Sequence, residues 1–549
     1  MRIADFFCGA GGFSEGFRQA GFDICFAVDK WLPAVNTYRA NKPQCHVILD
    51  DVIRISNLPD EEFHLLVPDT EIIIGSPPCV AFSNSNKSGK GDKTLGIELL
   101  KAYLRIIARK KYKENSILRY WVLENVPNIK KYLQDQYSAP DLGLIGEFSL
   151  KAINNSSGIY NAKYYGAPTN RKRFLCGEFP IPQKTNNDES TLSLGTVLKS
   201  LGSPLDDERE LIQDCNYPDF YMPREEVTDH QYIYRLQPFE WKTAKRLKED
   251  KGYMGKMSFP ENLDNPARTV MANMSASSRE SMILSTNNGG YRLPTVREAA
   301  SMMSFPIDYR FYGQSKGIKH TLVGNAVPPK MSYAIAKAIA YEANEQVPRV
   351  YMPIIHDNSI SFYNLNYMEF QQKHERSKRD VSKFKYHIPY MIIDKYRVEL
   401  TNYNSDFERK KFRWTAEIHY SQGKDRAKVY RPRKADTGIT QKLKEPIQQY
   451  VEQMRPHFCS FNSFQNIFCM TEIQRKELSL IGPYELLDSI KIFILDLIPP
   501  NELNTRVKVS KILPEIPLAI IVGYHILTQI TKEMGGINDG CSHKKRKAD

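Results

Sequence analysis

A chain of 549 residues with 41% hydrophobic content is long enough for two or three domains with sizeable cores. Its 76 lysines and arginines against 63 aspartates and glutamates leave a formal charge of +13, which suits a polyanionic partner and supports that reading without specifying it. Nine scattered cysteines with no Cys-x-x-Cys pair speak against a zinc site or a disulfide framework.

The N-terminus reads as a core strand rather than a charged and then apolar leader. Ile3 to Phe7 runs into the turn Cys8-Gly9-Ala10-Gly11-Gly12-Phe13-Ser14, followed by a helix from about Glu15 to Ala20. Strand, glycine turn and helix bring backbone amides close to a nucleoside cofactor in a doubly wound sheet. The glycine spacing departs from the dinucleotide fingerprint, so NAD is not the first choice. A second strand, Ile24 to Val28, ends at Asp29, where an acid holds ribose hydroxyls in such folds. Asp51 follows at the next predicted strand end, placed to accept a hydrogen bond from an adenine amino group. Either carboxylate alone reads more readily as a solvated surface charge; with the glycine turn they read together as a nucleoside pocket.

Ile72 to Ile74 form a short buried strand that Pro77-Pro78 stops abruptly, and Cys79 follows at once. A thiol just past a strand end, on a loop rich in Ser, Asn, Lys and Gly, is presented rather than packed, although a buried thiol is the ordinary fate of a free cysteine. The segment Ser83 to Asp92 is too polar and glycine-rich to pack, and reads as a loop able to close over a ligand. Glu124 follows the apolar strand Tyr120 to Leu123. Arg171 and Arg173 alternate along a further strand and so point to one face. Strand and helix patterns alternate to about residue 180, which predicts an α/β fold with a doubly wound, mainly parallel sheet. From Pro180 to Arg292 the periodicity is lost. A helix from about Pro329 to Asn344 closes the first module. Beyond it, residues 350–435 are basic and aromatic with strand-like runs, and Ile439 to Met534 is helical in pattern, giving an α+β module. The apolar stretch Pro517 to Leu527 is too short to span a bilayer.

Six blocks, in order, resemble those of the DNA (cytosine-5)-methyltransferases of bacterial type II restriction-modification systems, over residues 1 to about 345. They are Phe7-Cys8-Gly9-Ala10-Gly11-Gly12, Pro77-Pro78-Cys79, Glu124-Asn125-Val126, the run Tyr165 to Arg173, Arg297-Glu298-Ala299-Ala300 through Phe305-Pro306, and Gly324-Asn325-Ala326-Val327-Pro328-Pro329. The family usually has Gln after the nucleophile, where this chain has Val80. The resemblance implies S-adenosylmethionine as methyl donor, held by Phe7, Gly9, Gly11, Asp29, Asp51, Pro78, Asn325 and Val327. It implies Cys79 as nucleophile, Glu124 as donor to the base, and Arg171 and Arg173 as the paired arginines, Arg173 nearer the base. A clamp on phosphate or carboxylate remains open for the arginines, Arg171 above all, and a surface carboxylate for Glu124. No metal is implied.

The implied substrate is double-stranded DNA, with the target cytosine flipped out of the helix. Lys87 and Lys90 are then candidate phosphate contacts, and Arg268 and Arg279 candidate DNA contacts, each with a structural ion pair as the alternative. The domains expected are 1–180 for the cofactor and catalysis, 181–292 for target recognition, 293–345 as the return to the catalytic domain, and 346–549 as a module of unknown role. In the last, Asp394 with Glu408-Arg409-Lys410 matches a minimal nuclease metal pattern, so short that accident accounts for it. Such an enzyme is expected to be a cytoplasmic, nucleoid-associated bacterial monomer, protecting DNA from a cognate restriction endonuclease. A tRNA substrate and a non-catalytic DNA-binding scaffold are the alternatives; the long 180–292 insert favours DNA, and Cys79, Glu124 and Arg173 together favour an enzyme.

Overall fold

The computed structural model describes residues 1–78, 82, 93–204, 208–250, 256–365, 374–421, 428–510 and 512–538. Cys79, Val80, Lys87 and Lys90, and with them most of the polar loop, lie outside the described residues. The chain forms two units. The first comprises Met1–Leu236 and Ser258–Gln371, the second Gln237–Met257 and Gln372–Asp549.

The first unit is built on a seven-stranded sheet. In chain order its strands are β1 (Arg2–Phe6), β2 (Asp23–Asp29), β3 (His46–Leu49), β4 (Ile72–Gly75), β5 (Tyr120–Asn125), β6 (Gly158–Asn161) and β7 (Lys172–Glu178). Across the sheet the order is β3-β2-β1-β4-β5-β7-β6. The first five are mutually parallel, and β7 runs antiparallel to both of its neighbours. Every residue of β4 and β5 is buried, as a parallel strand covered on both faces requires. Two helices cover one face, α1 (Gly12–Gln19) and Pro329–Glu342, packing Phe13, Phe17, Ile335 and Ile339 with Ile3, Ile72, Ile74 and Val122. Helix Lys93–Lys111 covers the other, its Tyr103 and Ile106 packing with Phe6, Ile73, Trp121 and Leu123. The doubly wound α/β architecture is therefore present, and the strand order reverses between β1 and β4, where such sheets open a crevice at their carboxyl ends.

Two local boundaries differ from those the sequence predicts. Helix α1 starts at Gly12 rather than near Glu15, because Gly11 takes a left-handed φ of 79° that caps it early. Arg171 is not on the strand with Arg173: it is the single residue between Thr169–Asn170 and β7.

The domain limits also differ. Residues 194–284, apart from 237–257, share one core with the segment that follows: Leu194, Val197, Ile212, Val270 and Leu284 pack with Ala299, Phe305 and Phe311. Arg292 and Glu298 form a buried bidentate pair across the expected boundary at 292/293. Residues 351–365 also belong to this unit rather than to the C-terminal module. Tyr351 Oη donates to Asp308 (2.7 Å), Arg18 Nη2 donates to the Met352 carbonyl (2.9 Å), and Leu365 N donates to Asp229 (3.0 Å).

The second unit is α+β. Its antiparallel sheet runs Lys385–His387, Tyr396–Thr401, Thr415–Tyr420, Lys428–Tyr430 in spatial and chain order. One face packs Val398, Leu400 and Ile418 with Ile490 and Ile494 of helix Pro483–Leu497 and with Ile520, Ile521 and Leu527 of helix Leu518–Gly535. Helix Pro238–Lys245, expected within the recognition region, is part of this unit instead. Lys242 bonds Glu472 (2.5 Å), and Arg246 bonds Asp488 (2.7 Å). Asp250 accepts from Tyr386 Oη (2.5 Å), His387 Nε2 (2.9 Å) and Tyr390 N (2.6 Å). Polar bonding from a distant segment carries no hydrophobic period, so the sequence bears no sign of it. Among the described residues no helix is long and apolar enough to cross a membrane.

Candidate active site

A cavity of about 270 Å³ opens at the carboxyl ends of the parallel strands. Each wall comes from a strand end or the loop beyond it: Phe7 and Gly9 after β1, Asp29 and Trp31 after β2, Asp51 after β3, Ser76 to Pro78 after β4, and Glu124 and Val126 at β5. Asn325, the last residue of helix Lys316–Asn325, and Val327, in the turn before helix Pro329–Glu342, close it together with Arg171 and Arg173. Ten of the expected residues thus line one cavity: Phe7, Gly9, Asp29, Asp51, Pro78, Glu124, Arg171, Arg173, Asn325 and Val327.

Gly11 is the exception. A side chain there would meet Tyr309 Oη at 2.8 Å and Tyr38 at 3.0 Å, so Gly11 faces the packing beneath the loop and not the cavity. That packing is polar and buried. Glu15 is held by Arg18 (2.7 Å) and Lys42 (3.2 Å), and Lys42 reaches the Gly11 carbonyl (3.3 Å) and Tyr309 Oη (3.1 Å). Burial pushes the Glu15 carboxyl up, but the Arg18 and Lys42 cations prevail and hold it down at about 2. Tyr309 Oη in turn donates to the Ala10 carbonyl (2.5 Å), fixing the loop from below.

Asp29 is tied by its own loop. It accepts from Gly9 N and from Trp31 N, both at 2.9 Å, and burial raises its carboxyl from the usual range against those bonds. Two backbone bonds leave a carboxylate with further lone pairs, and this one lines the cavity. Asp51 caps the short helix Val52–Ser56 through Ile53 N (2.8 Å) and stands 3.9 Å from Lys30. Trp31 is a wall residue that the sequence analysis missed; its one signal is an aromatic two residues past the acid at a strand end. Phe7 takes a left-handed φ of 55°, a strained conformation for a side chain of this size. Burial pushes the Cys8 thiol well up, with Asp29 and Asp5 adding to it, so this cavity-lining cysteine is no thiolate nucleophile.

At the other end Glu124 is 4% exposed and held from both sides. Ser76 Oγ donates to its Oε2 (2.5 Å), and Arg173 Nε lies 3.0 Å from its Oε1. Asn125 Nδ2 donates to the Pro77 carbonyl (2.9 Å), pinning the diproline turn to β5. Arg171, 2% exposed, donates to the carbonyls of Val270 (3.2 Å), Gly324 (3.0 Å) and Ala326 (3.0 Å). It ties the closing turn to the 267–270 segment, so the clamp left open in the sequence is a clamp on backbone. Arg268 pairs with Glu261 (2.8 Å), and Arg279 is 5% exposed, so neither presents a free guanidinium as a DNA contact would require. The nuclease pattern is not assembled: Asp394 pairs with Arg506 and Lys410 with Asp380 (2.6 Å). Among the described residues no cluster of His, Cys, Asp and Glu could hold a metal.

The sequence model of the C-5 cytosine-specific DNA methylases matches residues 1–341. The chain belongs to that family. It is a DNA (cytosine-5-)-methyltransferase, and S-adenosylmethionine supplies the methyl group. Among its relatives, the type II methyltransferase M.MthTI of Methanothermobacter thermautotrophicus is 28% identical over 355 residues, 62% of this chain and 97% of that one. M.HindV of Haemophilus influenzae is 28% identical over 348 residues, covering 62% and 96%. Of the solved structures, the Dnmt2 methyltransferase of S. pombe spans 63% of this chain and 99% of its own at 17% identity, with a TM-score of 0.41.

The cavity suits that donor. Phe7, Trp31 and Val52 bring apolar side chains to its lining, while Asp29 and Asp51 bring carboxylate acceptors. This is the mixture a nucleoside needs.

Proposed function

We propose that the methylase acts on one short sequence in double-stranded DNA through base flipping and covalent catalysis, and serves as the protective half of a restriction-modification system. The observation that carries the mechanism is the Ser76–Glu124–Arg173 constellation beside the Pro77-Pro78 turn that leads to Cys79. Phe7, Gly9, Asp29, Asp51, Pro78, Asn325 and Val327 would hold S-adenosylmethionine, which would supply an electrophilic methyl.

Carbon 5 of cytosine is a poor nucleophile until the ring is made enamine-like. The Cys79 thiolate adds to carbon 6, forming an S–C bond and placing negative charge on the ring. Glu124 meets that charge in its carboxylic acid form, donating its proton in a hydrogen bond to ring nitrogen 3. Arg173 fixes Glu124 and supplies a positive charge prepared before the reaction. Carbon 5 then takes the methyl group, the donor sulfonium leaving as a neutral thioether; a water molecule as base takes the carbon 5 proton, and the electron pair left behind expels the Cys79 sulfur as thiolate and restores the aromatic ring. Arg171 contributes by holding the closing turn. Methylation of host DNA at this sequence denies it to a partner endonuclease, as the type II relatives' names suggest.

Bisulfite sequencing of DNA from cells expressing the chain, beside Cys79→Ser, tests this reading. Methylation confined to one short motif and absent in the variant is expected. Methylation that survives in the variant overturns the nucleophile, and no methylated DNA motif overturns the substrate.

A further inference from the structure

The basic surplus of the chain is carried entirely by one of its units. The first unit, which holds the methylase site, has 38 lysines and arginines against 39 aspartates and glutamates. The second has 38 against 24 in far fewer residues. A protein that grips duplex DNA neutralises backbone phosphates with lysine and arginine. In this methylase the unit with the chemistry has no net positive charge to offer.

Within the second unit the cations are concentrated and turned outward. Among the described residues of 374–434, thirteen lysines and arginines are exposed against four carboxylates. Three of those four already face cations: Asp380 faces Lys410, Asp394 faces Arg506, and Asp406 faces Arg409. The two carboxylates on the polar face of the sheet are withdrawn instead. Glu399 and Glu417, adjacent across the strands, have side chains only 7% exposed; Arg397 (2.6 Å) and Lys385 (3.2 Å) neutralise Glu399, Arg431 neutralises Glu417, and His419, which burial holds below the usual imidazole range, lies 3.1 and 3.0 Å from the two.

One end of the sheet gathers five of these thirteen cations. The connection between strands Tyr396–Thr401 and Thr415–Tyr420 folds back on itself through the Asp406–Lys411 backbone pair. It is pinned by Arg413 N donating to Ser405 Oγ (2.8 Å). It carries Arg409, Lys410, Lys411 and Arg413, all exposed. Beside it, Lys383 lies 5.3 Å from the Phe407 ring and 5.9 Å from that of Tyr403, which is 55% exposed. Exposed Lys and Arg with a Tyr hydroxyl among them are the groups that bond phosphate oxygens.

The chain path adds an independent reason. Gln237–Met257 leaves the first unit from inside the segment between the arginine block and the Arg297 block, joins the second unit, and returns. The second unit is thus tethered on both sides of that excursion as well as at residue 371.

We propose that the second unit is a duplex-DNA grip, binding the phosphate backbone without regard to sequence through the Lys383, Tyr403, Arg409, Lys411 and Arg413 patch. The proposal rests on the family's DNA substrate and not on the roles given to Cys79 or Glu124.

The test uses the full chain with Arg409→Gln/Lys411→Gln/Arg413→Gln, and separately Lys383→Gln. Arg455→Gln, an exposed cation paired with Glu533, is the control. Fluorescence anisotropy on two duplexes of unrelated sequence gives affinity across a salt series, and methyl transfer gives kcat and KM for DNA. Equal weakening on both duplexes, at least tenfold for the triple variant at 0.1 M salt, is expected. The slope of log affinity against log salt should shrink by about 0.9 for each phosphate no longer neutralised. KM should rise while kcat at saturating DNA stays that of the parent, a split that separates this proposal from any failure of the catalytic assignment. Unchanged affinity and slope in both folded variants overturn it. So does weakening confined to one duplex.

Discussion

Glu124 shows how a single side chain takes its chemistry from its neighbours. It lies at the end of a fully buried strand, and Ser76 and Arg173 hold its two oxygens apart and in place. Glu124→Gln keeps the shape and removes the acid, so kcat for methyl transfer should fall about 10²- to 10³-fold, as for other groups aimed at developing charge. S-adenosylmethionine affinity by titration should stay within twofold, because Glu124 lies at the opposite end of the cavity from Asp29 and Asp51. Asp5 makes a second case. It is 1% exposed, and burial raises its carboxyl to about 7 despite bonds to Tyr38 and Ser14 and the nearby Lys42. Its folded value lies above the unfolded one, so its contribution to stability is fully present below about pH 4 and is lost as pH rises through 7. Asp5→Asn should therefore gain melting temperature relative to the parent between pH 5 and pH 8. A difference that does not change with pH would mean that Asp5 titrates normally.

At the scale of elements, the helix pair on the first face of the sheet depends on one glycine. A side chain at Gly16 would meet Ser332 Oγ at 2.2 Å, Tyr333 N at 2.3 Å and the Pro329 carbonyl at 2.4 Å. Two of those are backbone atoms of helix Pro329–Glu342 and cannot turn aside. Gly16→Ala must push apart α1 and that helix, which together carry the glycine turn and the closing motif. A drop of about 2 to 3 kcal/mol in stability is expected, the cost of overpacking a tight core, with weaker cofactor binding. Chemical denaturation and S-adenosylmethionine titration check it. The apolar spacing of these helices makes them legible in the sequence, yet it places the start of α1 three residues late. Positive φ at Gly11, which sets the true start, is permitted by the residue and not dictated by it.

At the scale of the molecule, the truncation point matters. Cutting at 345 removes Tyr351, Ile354 and Leu365, which are packed into the first unit, and leaves Asp229 and Asp308 without their bonds to that segment. A chain ending at 345 should melt lower than one ending at 371, and only the longer should keep parent-like affinity for S-adenosylmethionine. Equal behaviour of the two would show that 351–365 is dispensable. Both truncations remove the partners of Arg246 and Asp250, so helix Pro238–Lys245 should become protease-sensitive in either.

The sequence by itself determined the family, the parallel sheet and ten of the residues that line the cavity. Those features rest on short local signals: apolar strands, the glycine turn, and acids and prolines at strand ends. Only the tertiary structure decided that Gly11 supports the loop from beneath, that Arg171 clamps carbonyls from residues 270, 324 and 326, and that Trp31 is part of the wall. It also decided that residues 237–257 belong with the C-terminal module and 351–365 with the methylase. Each of these is an association between residues distant in the chain and made largely by polar groups. Polar bonds of that kind leave no period to read, and backbone carbonyls, the commonest partners among them, look the same at every position in a sequence.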